Sequence, residues 1–170
     1  MRVIRSRWFP QGSDIAVPLA IRRDVFSHER DMLDEEAQQV VVYVNDMPVA
    51  AARLWWAEGS FHLGEVGVLA GERGRGYGDL LVRLALYKAL LHHARLVRLA
   101  ATPDTAAFFA RYGFRAEGEE GSGVPMNLRG ADIRLEGGGS ARGGGCLGKT
   151  CGRCPYTIPW RTPTSAVPDS

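Results

Sequence analysis

One stretch of the sequence, Val66-Gly67-Val68-Leu69-Ala70-Gly71-Glu72-Arg73-Gly74-Arg75-Gly76-Tyr77-Gly78-Asp79-Leu80-Leu81, joins an apolar run to a glycine-rich turn and then to a helical pattern. Gly74, Gly76 and Gly78 remove every second side chain, so the backbone can approach a ligand closely. The N–H groups left unpaired at the start of the helix would point at that ligand and attract phosphate oxygens. Arg73 and Arg75 add positive charge, which favours an anionic pyrophosphate.

The loop differs from two common phosphate-binding loops. No Lys-Ser/Thr pair follows it, as a P-loop requires, and no acidic residue that would complete a dinucleotide site is evident downstream. Its spacing, Arg-x-x-Gly-x-Gly at Arg73, Gly76 and Gly78, resembles the acyl-coenzyme A loop of the GNAT superfamily of N-acetyltransferases. A glycine-rich turn in some other α/β fold is the alternative.

A second segment extends the resemblance. Ala106-Ala107-Phe108-Phe109-Ala110-Arg111-Tyr112-Gly113-Phe114 is similar to the A-x-x-F-Y-x-x-x-G-F segment of the same superfamily. The likeness covers roughly residues 1–135, which we expect to form a GNAT acetyltransferase domain. It implies an α/β GNAT fold with a mixed central sheet, the element order β-α-β-β-β-α-β-α-β, and parallel central strands that splay apart.

Length and composition limit the possible classes of protein. A chain of 170 residues with 45% apolar residues can form one domain with a real core and a tail. The net charge of +2 argues against nucleic acid as the main partner. No apolar stretch approaches the ~20 residues of a membrane span. The apolar run 15–21 is short and precedes two arginines, the wrong order for a signal peptide, so we expect a cytoplasmic protein without a membrane partner.

The first 36 residues predict a strand, a helix and a charged segment. Residues 3–8 alternate loosely, which indicates a strand. Ser13 or Asp14 is expected to cap a helix that runs through Phe26. Its inward-facing residues would be Ile21, Val25 and Phe26. Residues 27–36 carry many charges, which is typical of a solvated loop.

The middle of the chain predicts a meander of three strands followed by a helix. Residues 40–44 and 49–56 are β-rich runs around a polar turn, and residues 61–69 form the next strand. Residues 77–93 have the pattern of an amphipathic helix, with Arg83 and Lys88 expected to face outward. A strand at 96–100, a helix at 106–112 and a strand from Phe114 complete the order.

The resemblance implies where a coenzyme would bind. Strands 61–69 and 96–101 would separate at their C-terminal ends and admit the pantetheine arm, while backbone groups from Val66 to Val68 would pair with its amides. Acetyl-coenzyme A would be the co-substrate. The expected binding residues are Val66, Val68, Arg73, Gly74, Arg75, Gly76, Tyr77, Gly78 and Asp79.

Direct attack of an amine on a thioester requires positioning of both partners and removal of a proton from the ammonium group. Glu65, on the strand before the loop, is the first candidate for the general base, directly or through a water molecule. His62 is the second candidate. Glu65 could instead face solvent or pair with an arginine, and His62 could be an ordinary hydrogen-bonded residue.

Two positions depart from the pattern of the superfamily. Many GNAT enzymes have a tyrosine as general acid in the A-x-x-F-Y segment, but the matching residue here is Phe109. Tyr112, one helical turn further, could replace it or could simply pack. The branch that the first half resembles usually has a histidine where Gln39 stands. These differences bear on catalysis and leave coenzyme binding unaffected.

Residues 136–170 differ in character from the preceding chain. Six glycines lie within residues 137–145 and four of the nine prolines lie from Pro155 onward, which is typical of a linker and an irregular tail. All three cysteines, Cys146, Cys151 and Cys154, lie here. A zinc or iron–sulfur site lacking its fourth ligand, redox chemistry, and no function are the alternatives. A second subunit could supply the missing ligand, so a homodimer is one possible assembly.

Two functions follow from these patterns. The favoured one is an acetyl-coenzyme A-dependent N-acetyltransferase that acts on a primary amine of a small molecule or peptide. The alternative is a non-catalytic acyl-coenzyme A-binding module whose cysteine tail senses metal or redox state. The acceptor cannot be named from the sequence, because side-chain geometry decides acceptor pockets.

Overall fold

A computed structural model of the chain describes residues 1–118 and 123–135. The elements in these residues follow one another in the order β1 Ile4–Phe9, α1 Ala16–Phe26, β2 Gln38–Val44, β3 Met47–Ala57, β4 Ser60–Val68, α2 Tyr77–Leu91, β5 Leu96–Ala101, α3 Ala106–Ala110, β6 Arg115–Ala116 and β7 Val124–Arg129. Three 3₁₀ helices lie at Met32–Glu35, Ala70–Glu72 and Gly130–Asp132. None of the helices in this part of the chain is long and apolar enough to span a membrane.

The strands form one mixed sheet in the order β1-β2-β3-β4-β5-β7-β6. β4 and β5 are parallel, and all the other neighbouring strands are antiparallel. The predicted fold class is therefore confirmed. The predicted element order omitted β7, which lies between β5 and β6. Pro125 falls within this strand, and a proline inside an apolar run argues against a strand when only the sequence is known.

The predicted hairpin is present as β2 and β3. Its turn is formed by Asn45 and Asp46, whose φ angles of 49° and 65° are typical of a type I′ turn. Residues of β2 alternate between the two faces of the sheet: Val40 and Val42 contact the main core under α2, while Val41 belongs to a smaller cluster under α1. The three N-terminal strands thus provide both faces on which the helices pack.

α1 begins one or two residues later than predicted. Its N-cap is Ile15, whose side chain forms no capping hydrogen bond, and the Asp14 carboxylate accepts a hydrogen bond from the backbone N–H of Ala16 at 2.9 Å. Of the residues expected to face inward, Ile21 is buried, and Val25 and Phe26 are partly buried. The Asp14 side chain bonds the N–H of Ala16, the first helical residue, but Asp14 itself precedes the N-cap Ile15, so the predicted cap lies too early in the sequence.

The expected outward orientation of Lys88 is wrong. Lys88 is buried, and its Nζ lies 5.0 Å from the centre of the Trp8 ring on β1. The spacing Leu81, Ala85, Lys88 places it on the face of α2 that packs on the sheet. A cation over an aromatic face is stabilised electrostatically. The aliphatic part of Lys88 can therefore pack on the core while its ammonium group lies over the Trp8 ring.

The centre of the sheet contains a bulge and a divergence. β3 and β4 pair at Ala51–Gly67 and again at Arg53–Gly64, so the residues between these pairs are mismatched and β4 bulges. β4 and β5 pair only at Phe61–Val97 and His62–Arg98. The expected separation of the parallel strands at their C-terminal ends is therefore confirmed, and it leaves the last half of β4 open on one side.

Candidate active site

A cleft of about 900 Å³ opens where β4 and β5 diverge. It is lined by residues of β4, the glycine-rich loop, the start of α2, the end of β5 and the helix α3. A volume of this size lies within the range of ligand-binding pockets. The carboxyl ends of the two parallel strands and the N-terminus of α2 thus meet at one place, where open α/β sheets bind ligands.

The glycine-rich loop presents a helix N-terminus to this cleft. Gly74 and Gly76 have φ angles of 77° and 86°, in the left-handed region that favours glycine. Gly76 is the N-cap of α2 and offers no side chain to bond the first N–H groups of the helix. An anion in the cleft would satisfy these donors.

Most of the residues predicted to bind the coenzyme line the cleft. They are Val66, Val68, Arg73, Gly74, Gly76, Tyr77, Gly78 and Asp79. The Nε of Arg73 donates to the carbonyl oxygen of Val68 at 3.1 Å, which holds this cation beside the end of β4. Arg75 is the exception: it does not line the cleft, and its Nη1 lies 3.4 Å from the carboxylate of Glu72.

Asp79 places a negative charge in the first turn of α2. Its carboxylate accepts a hydrogen bond from the Tyr112 hydroxyl at 2.5 Å and another from Arg83 Nε at 2.9 Å. Burial, reinforced by the Asp79 carboxylate, raises the pKa of Tyr112 above its ordinary value. Tyr112 does not line the cleft, whereas Phe109 does. The hydroxyl of Tyr112 is therefore directed at Asp79, and the cleft wall at position 109 is purely apolar.

Glu65 lies at the bulge of β4 and lines the cleft. Its φ of 53° places a non-glycine residue in the left-handed region, a strained conformation that concentrates at functional sites. The side chain is 19% exposed, and its Oε1 lies 3.9 Å from Nη2 of Arg53. The sequence suggested either a general base or a partner of an arginine at this position. The position of Glu65 is compatible with both, because it lines the cleft and also lies near Arg53.

His62 is placed differently. It does not line the cleft, its ring stacks on Trp55 at 5.4 Å between centres, and its Nε2 lies 3.2 Å from the carbonyl oxygen of Ala57. Burial lowers its pKa below the ordinary histidine value. These contacts match the ordinary hydrogen-bonded histidine that the sequence left open.

The charged segment 27–36 is not simply a solvated loop. Asp34 is buried, and its carboxylate accepts hydrogen bonds from Arg22 at 2.8 and 2.5 Å, from Gln39 Nε2 at 2.9 Å and from Arg53 at 3.2 Å. Burial alone would raise the pKa of Asp34. The hydrogen bonds and charge of Arg22, together with the charge of Arg53, outweigh burial and lower this pKa below the ordinary range of an aspartate. Asp31 also pairs with Arg53 at 2.8 Å.

A local signal for part of this arrangement is present in the sequence. The pattern Asp31-x-x-Asp34 is a capping box, in which the Asp31 side chain accepts from Leu33 N and the Asp34 side chain accepts from Asp31 N. The two arginines come from α1 and β3, and nothing in the local pattern predicts that they converge on this carboxylate. The cluster anchors the segment between α1 and β2 against the sheet.

His28 was not predicted as a site residue, yet it lines the cleft. Its Nδ1 lies 2.9 Å and 3.1 Å from the two carboxylate oxygens of Glu65. No local pattern in the sequence indicates this contact, since 37 positions separate the two residues.

No group of three or more histidine, cysteine, aspartate or glutamate residues suited to a metal ion is found in residues 1–118 and 123–135. The three cysteines for which the sequence suggested zinc or an iron–sulfur cluster lie outside the described residues. They are Cys146, Cys151 and Cys154.

The fold and the cleft define a class of protein. Residues 35–116 match the family model of the acetyltransferase (GNAT) domain, which spans the strands β2 to β5, the glycine-rich loop and the segment of α3. Over these residues the chain is therefore similar to the GNAT acetyltransferase domain, and the comparisons support the enzyme class N-acetyltransferase.

Individual relatives agree with this class. The chain is 27% identical over 116 residues to the uncharacterized N-acetyltransferase YjcF of Bacillus subtilis, which covers 62% of this chain and 83% of the relative. An acyl-CoA N-acyltransferase from Pseudomonas aeruginosa has a similar structure, with a TM-score of 0.67, 24% identity, and coverage of 74% of this chain and 99% of the other. A GNAT family acetyltransferase from Elizabethkingia anophelis, solved with acetyl-CoA bound, gives a TM-score of 0.61 at 13% identity, with 74% and 97% covered.

Proposed function

We propose that this enzyme transfers the acetyl group of acetyl-coenzyme A to a primary amine of a small molecule or peptide. The observation that carries the proposal is the continuity of the cleft. It runs from the open edge of β4, where a chain of amides could pair, to the uncapped N-terminus of α2, where phosphates could bind. An elongated ligand with an amide-containing arm and a pyrophosphate fits both ends.

The residues of the cleft suit this ligand. Backbone groups of Val66 and Val68 lie on the half of β4 that has no paired residue on β5, so pantetheine amides could extend the sheet there. The N–H groups after Gly76 and the cation of Arg73 would hold the pyrophosphate. Substituents at Gly74 and Gly76 would intrude on that approach.

The reaction needs an unprotonated amine. Alkyl amines have a pKa of about 10.4, as lysine does, so at neutral pH a group of the enzyme has to accept a proton before the nitrogen can attack. Among the carboxylates that line the cleft, that of Glu65 is the one carried by β4, the strand that diverges from β5. We propose that Glu65 takes part in this proton removal.

The departing sulfur would leave as a thiolate. Phe109 offers no proton, and the hydroxyl of Tyr112 is bound to Asp79, so we propose no side chain as general acid. A thiol has a pKa of about 8.5, which makes its thiolate an acceptable leaving group near neutral pH. Solvent would then protonate the sulfur.

A thiol-release assay tests the proposal. The full chain is incubated with acetyl-coenzyme A and a panel of amines that includes polyamines, amino acids and a lysine-containing peptide, and each acetylated product is identified by mass spectrometry. We expect acetylation of at least one amine class. Absence of product throughout the panel, with acetyl-coenzyme A bound in calorimetry, would contradict an enzyme acting on these amines and support a binding module.

The binding-module alternative is favoured by the apolar wall at Phe109. In that alternative the tail would bind metal or respond to redox state, with Cys146, Cys151 and Cys154 as ligands or redox groups. Metal analysis of the full chain purified without oxygen tests the metal form of this hypothesis. The wild type is compared with a variant in which all three cysteines are replaced by serine. Equal zinc and iron contents in the two proteins would exclude metal binding by these cysteines.

A further inference from the structure

His28 and Glu65 form a side-chain pair in the wall of the cleft. We propose that His28 is the general base that accepts the proton of the acceptor amine, and that Glu65 is the positioning residue that holds its ring. This inference rests on the proposed acetyl transfer and assigns the proton acceptor within it. The pair unites a residue that follows α1 with a residue at the bulge of β4.

The hydrogen bond determines which nitrogen of His28 can act. An ionised carboxylate can only accept, so Nδ1 of His28 has to carry the proton that points to Glu65, at 2.9 and 3.1 Å from its two oxygens. In the neutral ring Nε2 is then the nitrogen with a free lone pair. Within residues 1–118 and 123–135, no hydrogen bond to Nε2 of His28 is present.

Glu65 is less suited to accept the proton itself. Both of its oxygens lie within 3.1 Å of His28 Nδ1, and Oε1 also faces Arg53 Nη2 at 3.9 Å. Its side chain is 19% exposed, whereas that of His28 is 57% exposed. An incoming amine therefore reaches the imidazole more readily than the carboxylate.

Two strained residues bring the pair together. Ser27, directly before His28, ends α1 in the left-handed conformation with a φ of 57°, and Glu65 has a φ of 53°. Left-handed non-glycine residues cost free energy and persist where the surrounding structure holds them. Their occurrence on both sides of one contact indicates that the chain is held in place to make it.

Packing fixes the plane of the imidazole. The His28 ring stacks on Phe26 with 5.5 Å between centres and an angle of 21° between planes. Phe26 in turn lies against the backbone of β4, because a Cβ at Gly67 would come within 2.8 Å of its ring. His28 is thus held by a ring on one side and by the Glu65 carboxylate at Nδ1, while 57% of its side chain stays exposed and the residue lines the cleft.

The proton and the electrons balance as follows. The ammonium group of the acceptor gives one proton to Nε2 of His28, and the freed lone pair of the amine forms the new C–N bond at the acetyl carbonyl carbon. The C–S bond breaks and its electron pair stays on the sulfur. The nitrogen loses its second proton to solvent, solvent protonates the thiolate, and the imidazolium returns its proton to solvent. The products are an amide and coenzyme A.

Nitrogen-detected NMR of ¹⁵N-histidine-labelled protein tests the pair without any substrate. The chain has four histidines, and a His28→Gln variant assigns the signal of His28. At about pH 8.5, where ordinary histidines are neutral, we expect the proton on Nδ1 and an unprotonated Nε2. Glu65→Ala, which removes the acceptor, should abolish this preference for Nδ1. A proton on Nε2 in the wild type, or a ring that stays doubly protonated, would overturn the proposal.

Steady-state kinetics with the best amine of the panel test the role in catalysis. His28→Gln and His28→Ala should lower kcat by about 10²–10⁴-fold with the KM for acetyl-coenzyme A kept. Added imidazole should restore part of the activity of His28→Ala, since the site is exposed. His93→Asn is the matched control, because His93 is exposed, lies outside the cleft and has a left-handed conformation that asparagine tolerates.

The outcomes separate this inference from the proposed function. An active wild type with an equally active His28→Gln variant would refute His28 as the base and leave the acetyl transfer intact. A wild type that acetylates no amine would refute the proposed function and the inference with it. Loss of kcat in His28→Ala without rescue by imidazole, together with unchanged Nδ1 protonation in Glu65→Ala, would show that the pair is only structural.

Discussion

The buried carboxylate of Asp34 is the best point at which to test how the segment between α1 and β2 is held. Asp34 accepts hydrogen bonds from Arg22, Arg53, Gln39 and the backbone of Asp31. Asp34→Asn keeps the shape of the side chain but removes its charge. The variant has one oxygen in place of two and turns an NH₂ group toward guanidinium donors.

The expected loss of stability follows from burial. The side chains of Asp34 and Arg22 are 0% and 4% exposed, and that of Arg53 is 6% exposed. Breaking a buried ion pair by changing one partner costs about 3–5 kcal/mol, because the remaining charge is uncompensated. The asparagine retains some hydrogen bonds, so we expect about 3 kcal/mol. A single domain is stable by about 5–15 kcal/mol in total, and the change is therefore large.

Urea denaturation followed by tryptophan fluorescence and circular dichroism measures this loss. With a denaturant slope of about 1–3 kcal/mol/M, the midpoint should fall by about 1–3 M. The control is Asp46→Asn, since Asp46 pairs with Arg5 at 3.3 Å on the surface and both side chains are mostly exposed. If the midpoint of Asp34→Asn equals that of Asp46→Asn, the carboxylate does not hold the segment as inferred.

The same variant gives a pH test with a defined sign. The pKa of Asp34 is lower in the folded protein than in the unfolded chain, where an aspartate has a value of about 3.9. Its contribution to stability is therefore fully present above about pH 4 and is lost as the pH falls below that value toward the folded pKa. We expect the free energies of unfolding of the wild type and Asp34→Asn to converge on acidification below pH 4. A gap that stays constant from neutral pH to about pH 2 would contradict the shift.

Two further predictions use matched pairs of variants. Arg73→Ala should weaken acetyl-coenzyme A binding by about 1–3 kcal/mol in calorimetry. Arg75→Ala should weaken it less, because Arg75 does not line the cleft and its guanidinium pairs with Glu72. The reverse order would show that the loop binds differently. Gly130→Ala should destabilise the fold by about 3 kcal/mol or more in urea, because its Cβ would lie 1.8 Å from the carbonyl oxygen of Ala94. Gly71→Ala is its control, since nothing lies within 4 Å of that position, and equal midpoints for the two variants would exclude the clash.

The parts of the fold that the sequence predicted are those with local causes. The glycine-rich loop needs left-handed residues at Gly74 and Gly76, and the Asn45-Asp46 turn needs the same conformation, so both leave a visible mark in the sequence. The divergence of β4 and β5 was expected from the resemblance to a family. Lys88 was misplaced because its charge was given more weight than its helical spacing. β7 was not predicted, because Pro125 lies within it and a proline argues against a strand.

The cleft residues were predictable from the sequence only on the side that we propose to bind the coenzyme. That side is built from consecutive residues, whereas the acceptor side depends on contacts between α1, the following segment and β4. Neither Glu65 with His28 nor Asp34 with Arg53 has a sequence spacing that indicates contact. A run of charges such as the segment 27–36 predicts solvent exposure on average. The burial of Asp34 within this run depends on Arg22 and Arg53, which are far from it in the sequence.

The two departures from the superfamily pattern have different physical consequences. Gln39 donates to Asp34 at 2.9 Å, so a neutral amide at this position supports the buried carboxylate and takes part in no proton transfer. Phe109 removes a hydroxyl from the cleft wall, and Tyr112 does not replace it because its hydroxyl donates to Asp79. The titratable groups that form a pair in the cleft are then Glu65, whose own φ is left-handed, and His28, which follows the left-handed Ser27. In the proposed reaction, proton removal from the amine is therefore the step for which this cleft supplies protein groups, and protonation of the departing sulfur would depend on solvent.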